Sequence, residues 1–420
     1  MDTVVDNNIP MDVIVERGCG LDVHKETVVS CIMGKGITKE IKTYSTMTND
    51  LLKLKEWLRE NSITHVAMES TGIYWKPIFN ILEDEFKIIL VNARHMKNVP
   101  GRKTDVKDCE WICKLLMSGL LQGSFIPPKD IRELRDLTRY KKKLTQSISA
   151  EKNRVQKVLE DANIKLSSVV SDTFGVSGSE IIDALMENKL TIDEMSNLSR
   201  GQLKKKVVDI REALVGNVEE HHKFMIKASL EHIRNIENLI AKIDVQIDKK
   251  MEKYAEEYKL LQTIPGVKER GAASIIAEIG VNMDIFPTAE HLCSWAGISP
   301  GNNESAGKKK ACGITHGNKC LKTTLTESAW AASRTKDTYL RSKFNSLVGR
   351  RGKKRALVAV GHKILIAGYH ILKKKEEYKE LGVNYLDTRK KDSITTSYVK
   401  RLTALGYNVT LEDTALKEAA

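Results

Sequence analysis

Residues 13–34, VIVERGCGLDVHKETVVSCIMG, decide the fold. Two runs rich in β-branched residues, 13–23 and 26–34, flank a short polar turn. That pattern predicts two strands joined tightly, with Asp22 near the end of the first. Working outward, KEIKTYST (39–46) predicts a third strand and DLLKLKEWLRE (50–60) has helical spacing. HVAMES (65–70) is a short apolar strand ending on an acid, Glu69. A helix follows Tyr74, KIILVN (87–92) is a buried strand, and the pattern is helical again from Asp105 to about Leu120. Three strands, a helix, a strand, a helix and a strand imply a mixed α/β sheet.

That order is the order of an RNase H-like fold. It gives four acids a common destination: Asp22 in GLDVHKE, Glu69 in HVAMESTG, and Asp105 and Asp108 in GRKTDVKDCE. Asp22 and Glu69 each close a predicted strand, and adjacent strand ends bring carboxylates together. Asp105 and Asp108, three apart, share one helix face. Singly, each has a plainer role as a turn or helix cap. Together they repel unless a cation sits among them. Hard oxygen ligands suit Mg²⁺ or Mn²⁺, and two such ions can activate a nucleophile and stabilise a leaving oxygen in phosphodiester cleavage.

The chain has 420 residues, enough for two or three domains. From about 130 to 260 charged and apolar residues interleave at helical period. Two stretches, 138–162 and 232–261, lack internal Pro and Gly and read as arms of an antiparallel helical hairpin or coiled coil. Loops and short helices fill about 165–215. Domain boundaries fall near 128 and 258, giving an RNase H-like domain (1–128), a helical coiled-coil insert (129–257), a mainly α C-terminal domain (258–375) and a peripheral tail (376–420). LLQTIPGVKERGAASIIAEIG (260–280) reads as a helix-hairpin-helix, whose turn at Pro265 and Gly266 suits a DNA phosphate. A polar, Gly- and Lys-rich loop region (294–322) follows, then helices over 324–334 and 354–375.

Charge separates these regions. The whole chain carries +13, yet residues 301–375 hold 18 Lys/Arg against 3 Asp/Glu. A localised basic block is the mark of a polyanion partner rather than of an ordinary solvated face. Aromatic content is 5%, which argues against recognition by base stacking. The seven cysteines form no CxxC pair and read as reduced thiols. No apolar run approaches the roughly 20 residues that span a bilayer, and MDTVVDNNIP is not a signal peptide, so a cytoplasmic protein without a membrane partner is expected. Ser305, in NNESAGKKK, lies beside Lys308, Lys309 and Lys310, which could supply positive charge to a serine attacking phosphorus.

These motifs together resemble the DEDD transposases of bacterial insertion sequences, the family that also includes the pilin-gene invertase. The resemblance spans nearly the whole chain: the GLDVHKE, ESTG and KTDVKD blocks, then IPGV, WAGISP, SAGK and GITHGN. It implies a RuvC-like N-terminal domain with its acids on Asp22, Glu69, Asp105 and Asp108. It places the nucleophile on Ser305, forming a covalent phosphoserine link to DNA with Mg²⁺ assisting. It also implies dimers pairing into tetramers through the coiled coil, and in some members a structured guide RNA encoded by the element. Many relatives carry Ser-Lys in the second glycine loop, where this chain has Thr315 and His316, so Thr315 is a second candidate nucleophile. Two other classes stay open from the residues: a structure-specific endonuclease of the Holliday-junction type using metal-activated water, and a non-catalytic nucleic-acid-binding protein.

Overall fold

The computed structural model describes residues 14–70, 72–92, 108–121, 123–301, 304–305, 307–309 and 313–411. The chain divides into two compact units, Met1–Ile126 and Pro127–Ala420.

The first unit is built on a five-stranded mixed sheet of order β3-β2-β1-β4-β5. β1 (Arg17–Val23), β2 (Thr27–Gly34) and β3 (Ile37–Ser45) form an antiparallel meander. β4 (His65–Glu69) and β5 (Lys87–Val91) add on in parallel. Alternation along the strands assigns the faces. Cys19, Leu21, Val66 and Met68 point to the layer of α1 (Thr48–Glu60) and α2 (Trp75–Leu82), where Leu54, Leu58, Ile78 and Leu82 close the core. Ala67 and Val91 point the other way, against Ile112, Leu115 and Leu116 of α3 (Asp108–Met117). The strand and helix order is the one the sequence predicts. Among the described residues the helix expected from Asp105 runs Asp108–Met117, and Asp105 itself lies outside them.

α3 lies directly on β1 because β1 carries glycine there. A Cβ on Gly20 would stand 2.2 Å from the Cys109 carbonyl oxygen and 2.5 Å from the Cys113 nitrogen. Gly20→Ala must therefore lift the helix, at an overpacking cost on the order of 1–3 kcal/mol. The expected result is a lower urea midpoint; a midpoint equal to that of the parent chain would mean that α3 sits clear of the strand.

The second unit begins with two long antiparallel helices, α4 (Lys129–Asp161) and, after the intervening segment, α9 (Glu220–Met251). Between them α5 (Leu166–Val169), α6 (Val176–Glu187), α7 (Ile192–Asn197) and α8 (Val207–Ala213) form a cap. Its core of Leu166, Ile181, Met195 and Ile210 packs on Val155 and Leu159 of α4 and Ile226 of α9. The second arm differs from expectation at both ends. It starts at Glu220, not 232, and stops at Met251, not 261. A 3-10 turn at Glu252–Tyr254 ends it, tied back when the Tyr254 hydroxyl donates to Asp130 at 2.5 Å and Lys253 pairs with the same carboxylate.

Beyond the turn come α10 (Ala255–Gln262), α11 (Glu269–Ile279), α12 (Ala289–Ala296), α13 (Lys319–Ala332), α14 (Tyr339–Arg351) and α15 (Lys353–Lys374). Residue 258 lies inside α10. α16 (Tyr385–Arg389) and α17 (Lys391–Ala404) bury none of their residues. The sequence suggests no membrane-length apolar segment. Yet α15, by length and composition alone, is apolar enough to cross a membrane. It buries Ala356, Val360, Ile364 and Leu365 among other residues, as a core helix does.

Candidate functional site

The first unit brings three of the four predicted acids to one end of one sheet face. β1 and β4 pair in parallel with Leu21 opposite Met68, so Asp22 and Glu69 follow side by side. Gly20 faces α3, and Asp22, two residues on, shares that face. Ala67 packs against α3, and Glu69 shares its face in the same way. Direction then fixes Asp108. Gly18 lies under Leu116 and Met117, whereas Gly20 lies under Cys109 and Cys113. α3 therefore runs opposite to β1 and begins over the end that carries Asp22. Asp108, its first residue, belongs to that same end.

His24 is a neighbour of this set that the sequence reading passes over. Its Nε2 lies 3.2 Å from Asp22 Oδ2, from the turn between β1 and β2. The GLDVHKE motif contains the signal, because an acid and a histidine two apart at a strand end can reach each other. Among the described residues no group of three His, Cys, Asp or Glu side chains is gathered closely enough to hold a metal ion. The donor chemistry nonetheless fits a hard divalent cation, with carboxylate oxygens on adjacent strand ends and at a helix start.

Ser305 lies in the second unit, at the tip of a stapled loop. α12 ends at Gly297 in the left-handed region (φ 71°). Gly297 and Gly317 lie back to back; a Cβ on Gly317 would come within 2.4 Å of the Gly297 nitrogen. Above this base the Thr315 nitrogen donates to Ser299 O (3.2 Å) and the Gly301 nitrogen to Gly313 O (2.9 Å). At the tip, β6 (Glu304–Ser305) pairs with β7 (Lys308–Lys309), placing Lys308 directly across from Ser305. The sequence predicts only a plain loop here. Lys310 lies outside the described residues. Thr315 occupies the stalk instead, with its hydroxyl oxygen buried and, among the described residues, without a hydrogen-bond partner. A hydroxyl so enclosed is poorly placed to meet a DNA phosphate.

The base of that loop is tied to the coiled coil by a buried carboxylate. Glu278 of α11 is 2% exposed. Arg139 of α4 grips it with two hydrogen bonds of 2.8 Å, and Asn318 Nδ2 donates to it at 2.6 Å. The Asn318 Oδ1 in turn caps α13 by accepting from the Cys320 and Leu321 nitrogens. Arg135 donates to the Ala277 and Glu278 carbonyls at the end of α11. A single acid inside the apolar run SIIAEIG is the sequence signal for this network.

Where the sequence suggests a helix-hairpin-helix, residues 263–268 join α10 to α11. Gly266 takes φ 85°, and a Cβ there would lie 2.3 Å from Ser328 O on α13. This glycine is thus required for packing, whatever its neighbour Pro265 meets in solvent.

Comparison with known proteins adds two independent matches. Residues 19–164 match the model of the IS110-type DEDD transposases, described as a transposase. Residues 258–345 match the model described as transposase IS116/IS110/IS902 family. The first covers the acidic end of the sheet and the second the Ser305 loop, so the class is that of DEDD transposases, enzymes that cut and rejoin DNA. The chain belongs to the IS110 family. No curated protein matches it. Family members of this type use divalent metal and take DNA as substrate.

Proposed function

We propose that this transposase cuts and rejoins DNA through Ser305, with Asp22, Glu69, Asp105 and Asp108 as the acidic set. The observation that carries the reading is the meeting of Asp22 and Glu69 at adjacent parallel strand ends beneath the start of α3. Those carboxylates would hold Mg²⁺ or Mn²⁺, which supplies charge neutralisation at the scissile phosphate. The Ser305 oxygen attacks phosphorus and loses its proton to a base. One phosphorus–oxygen bond forms to serine, the bond to one deoxyribose oxygen breaks, and that oxygen takes up a proton. Attack by the hydroxyl of another strand reverses the exchange and frees the serine. The number of phosphodiester bonds is conserved, so no external energy source is needed. Lys308, across from Ser305, and its neighbours Lys309 and Lys310 offset the charge that gathers on phosphorus. Pro265 and Gly266 bring the hairpin turn to the DNA backbone. Dimers joined through α4 and α9 pair into tetramers, and a structured guide RNA selects the sites; the low aromatic content and the basic block favour a protein that reads backbone and leaves sequence to base pairing.

The experiment is to trap the intermediate. The chain is mixed with the DNA ends of its element, flanking transcript and Mg²⁺, then denatured and examined for protein–DNA adducts. An adduct is expected with the parent chain and with Thr315→Val, and none with Ser305→Ala. Cutting without an adduct that survives Ser305→Ala would replace this reading by a nuclease that uses water.

A further inference from the structure

We infer that a cavity among the helices of the second unit binds a small organic acid with a single carboxylate and a hydroxyl-bearing body. The cavity holds about 670 Å³, within the range of small-molecule sites. α4 and α9 form one wall, α10 and the start of α11 a second, and α13 a third. None of the residues that line it belongs to the acidic set or to the Ser305 loop.

Lys142 of α4 carries the inference. Its Nζ is buried, it lines this cavity, and among the described residues it has no hydrogen-bond partner. The preceding residue differs: Lys141 pairs with Asp244 on α9. The inner part of the cavity, formed by these half-buried residues, therefore carries one uncompensated positive charge. An ammonium taken out of water without a partner is costly, and an anion that meets it removes the cost.

The mouth has the opposite sign. Asp248, Glu269 and Glu327 are exposed there, against Lys268 and Arg270. The acids make themselves felt inside: burial, and then Glu269, Asp248 and Asp244, push the Tyr258 hydroxyl above its usual range. A positive interior behind a negative mouth selects by charge. One carboxylate neutralises one ammonium. A phosphate dianion would overshoot it beside Asp244, and a polyanion would set its further charges among the mouth acids, where like charges repel. The rest of the lining suits hydroxyl groups. Thr138, Ser274, Thr324 and Ser328 present hydroxyls on the walls, and the ionised acids at the mouth accept hydrogen bonds but donate none.

The inference is independent of the proposed DNA chemistry, and its test needs no DNA cutting. Titration calorimetry of the full chain at fixed ionic strength uses D-gluconate as the probe. A Kd near or below about 1 mM is expected for a molecule of that size. Glucose, which lacks the charge, should bind at least about tenfold more weakly, and 6-phosphogluconate, which adds a dianion at the other end, should bind more weakly than gluconate. Lys142→Met keeps the length of the side chain and removes its charge. Gluconate affinity is then expected to fall at least about 30-fold, as for a buried charge that loses its partner. Without gluconate the same variant should melt above the parent chain, because a buried charge that no acid offsets has gone; that melt also establishes that the variant folds. Gluconate affinity unchanged in Lys142→Met, or no heat at about 10 mM gluconate with the parent chain, overturns the inference. Tighter binding of 6-phosphogluconate overturns the charge selection on which it stands. Displacement of gluconate by duplex DNA would assign the ammonium to a phosphodiester instead, and a lower melting temperature in Lys142→Met would mean that Lys142 is already paired; either result overturns the inference too.

Discussion

Asp22→Asn is expected to abolish DNA cutting while leaving the protein folded. The substitution keeps the shape of the side chain and removes its charge. Asp22 is 25% exposed at a strand end, so no buried group loses its partner. The contact with His24, which is 60% exposed, contributes little to stability. The catalytic consequence is larger. Asp22 and Glu69 stand side by side, and in the proposed reading the pair would give a divalent cation most of its attraction to this end of the sheet. Loss of an outer partner of a metal ligand lowers affinity or activity by about 10–100-fold. Loss of a ligand's charge should exceed that, so cutting is expected to fall more than about 100-fold at fixed Mg²⁺. Glu69→Gln should behave alike, and His24→Ala should retain most activity. The measurement is the cleavage rate on element-end DNA, beside a melting curve for each variant. Asp22→Asn cutting at the parental rate, with an unchanged melt, would remove the carboxylates from the chemistry.

The first unit is legible in the sequence because its signals are local. β-branched runs separated by turn residues fix β1 to β3, and an acid stands next to the end of β1 and at the end of β4. The parallel neighbours β1 and β4, which bring Asp22 and Glu69 together, follow from fold order rather than from either motif. The pairing at Ser305 is not legible. Its strands are two residues long and stand on Gly297 and Gly317, which lie twenty residues apart and meet only in three dimensions. α14 also escapes the sequence reading, for a physical reason: it buries only Tyr339 and Leu340, so it has no apolar stripe to read. The start of α9 is obscured because its first turn, residues 220–223, is polar, although Glu219 and His222 form a reciprocal cap there.

Glu278→Ala is expected to be among the most destabilising single changes in the second unit. Its carboxylate is buried and accepts from Arg139 and Asn318, with Arg135 Nε 3.4 Å away. Removing one partner of a buried pair costs about 3–5 kcal/mol, because the remaining charge stays desolvated. Arg139 is 42% exposed on its side chain and can turn to water, which favours the low end, about 3 kcal/mol. Arg135 is 16% exposed and keeps its carbonyl partners on α11. For a unit of this size a loss of that order lowers the melting temperature by roughly 6–12 °C. The effect should be strongly coupled: Arg139→Gln added to Glu278→Ala is expected to cost less than the sum of the two single changes, since neither charge is then left alone. Asn318 gives the network a second consequence. With its Nδ2 unsatisfied, the residue that caps α13 loses the hold that fixes it at the base of the Ser305 loop. Adduct formation below the melting transition should therefore fall in Glu278→Ala more than in a core variant of equal stability elsewhere, such as Ile181→Ala in the cap. Equal adduct yields in the two variants would confine Glu278 to stability, and an unchanged melting temperature would refute the buried pair itself.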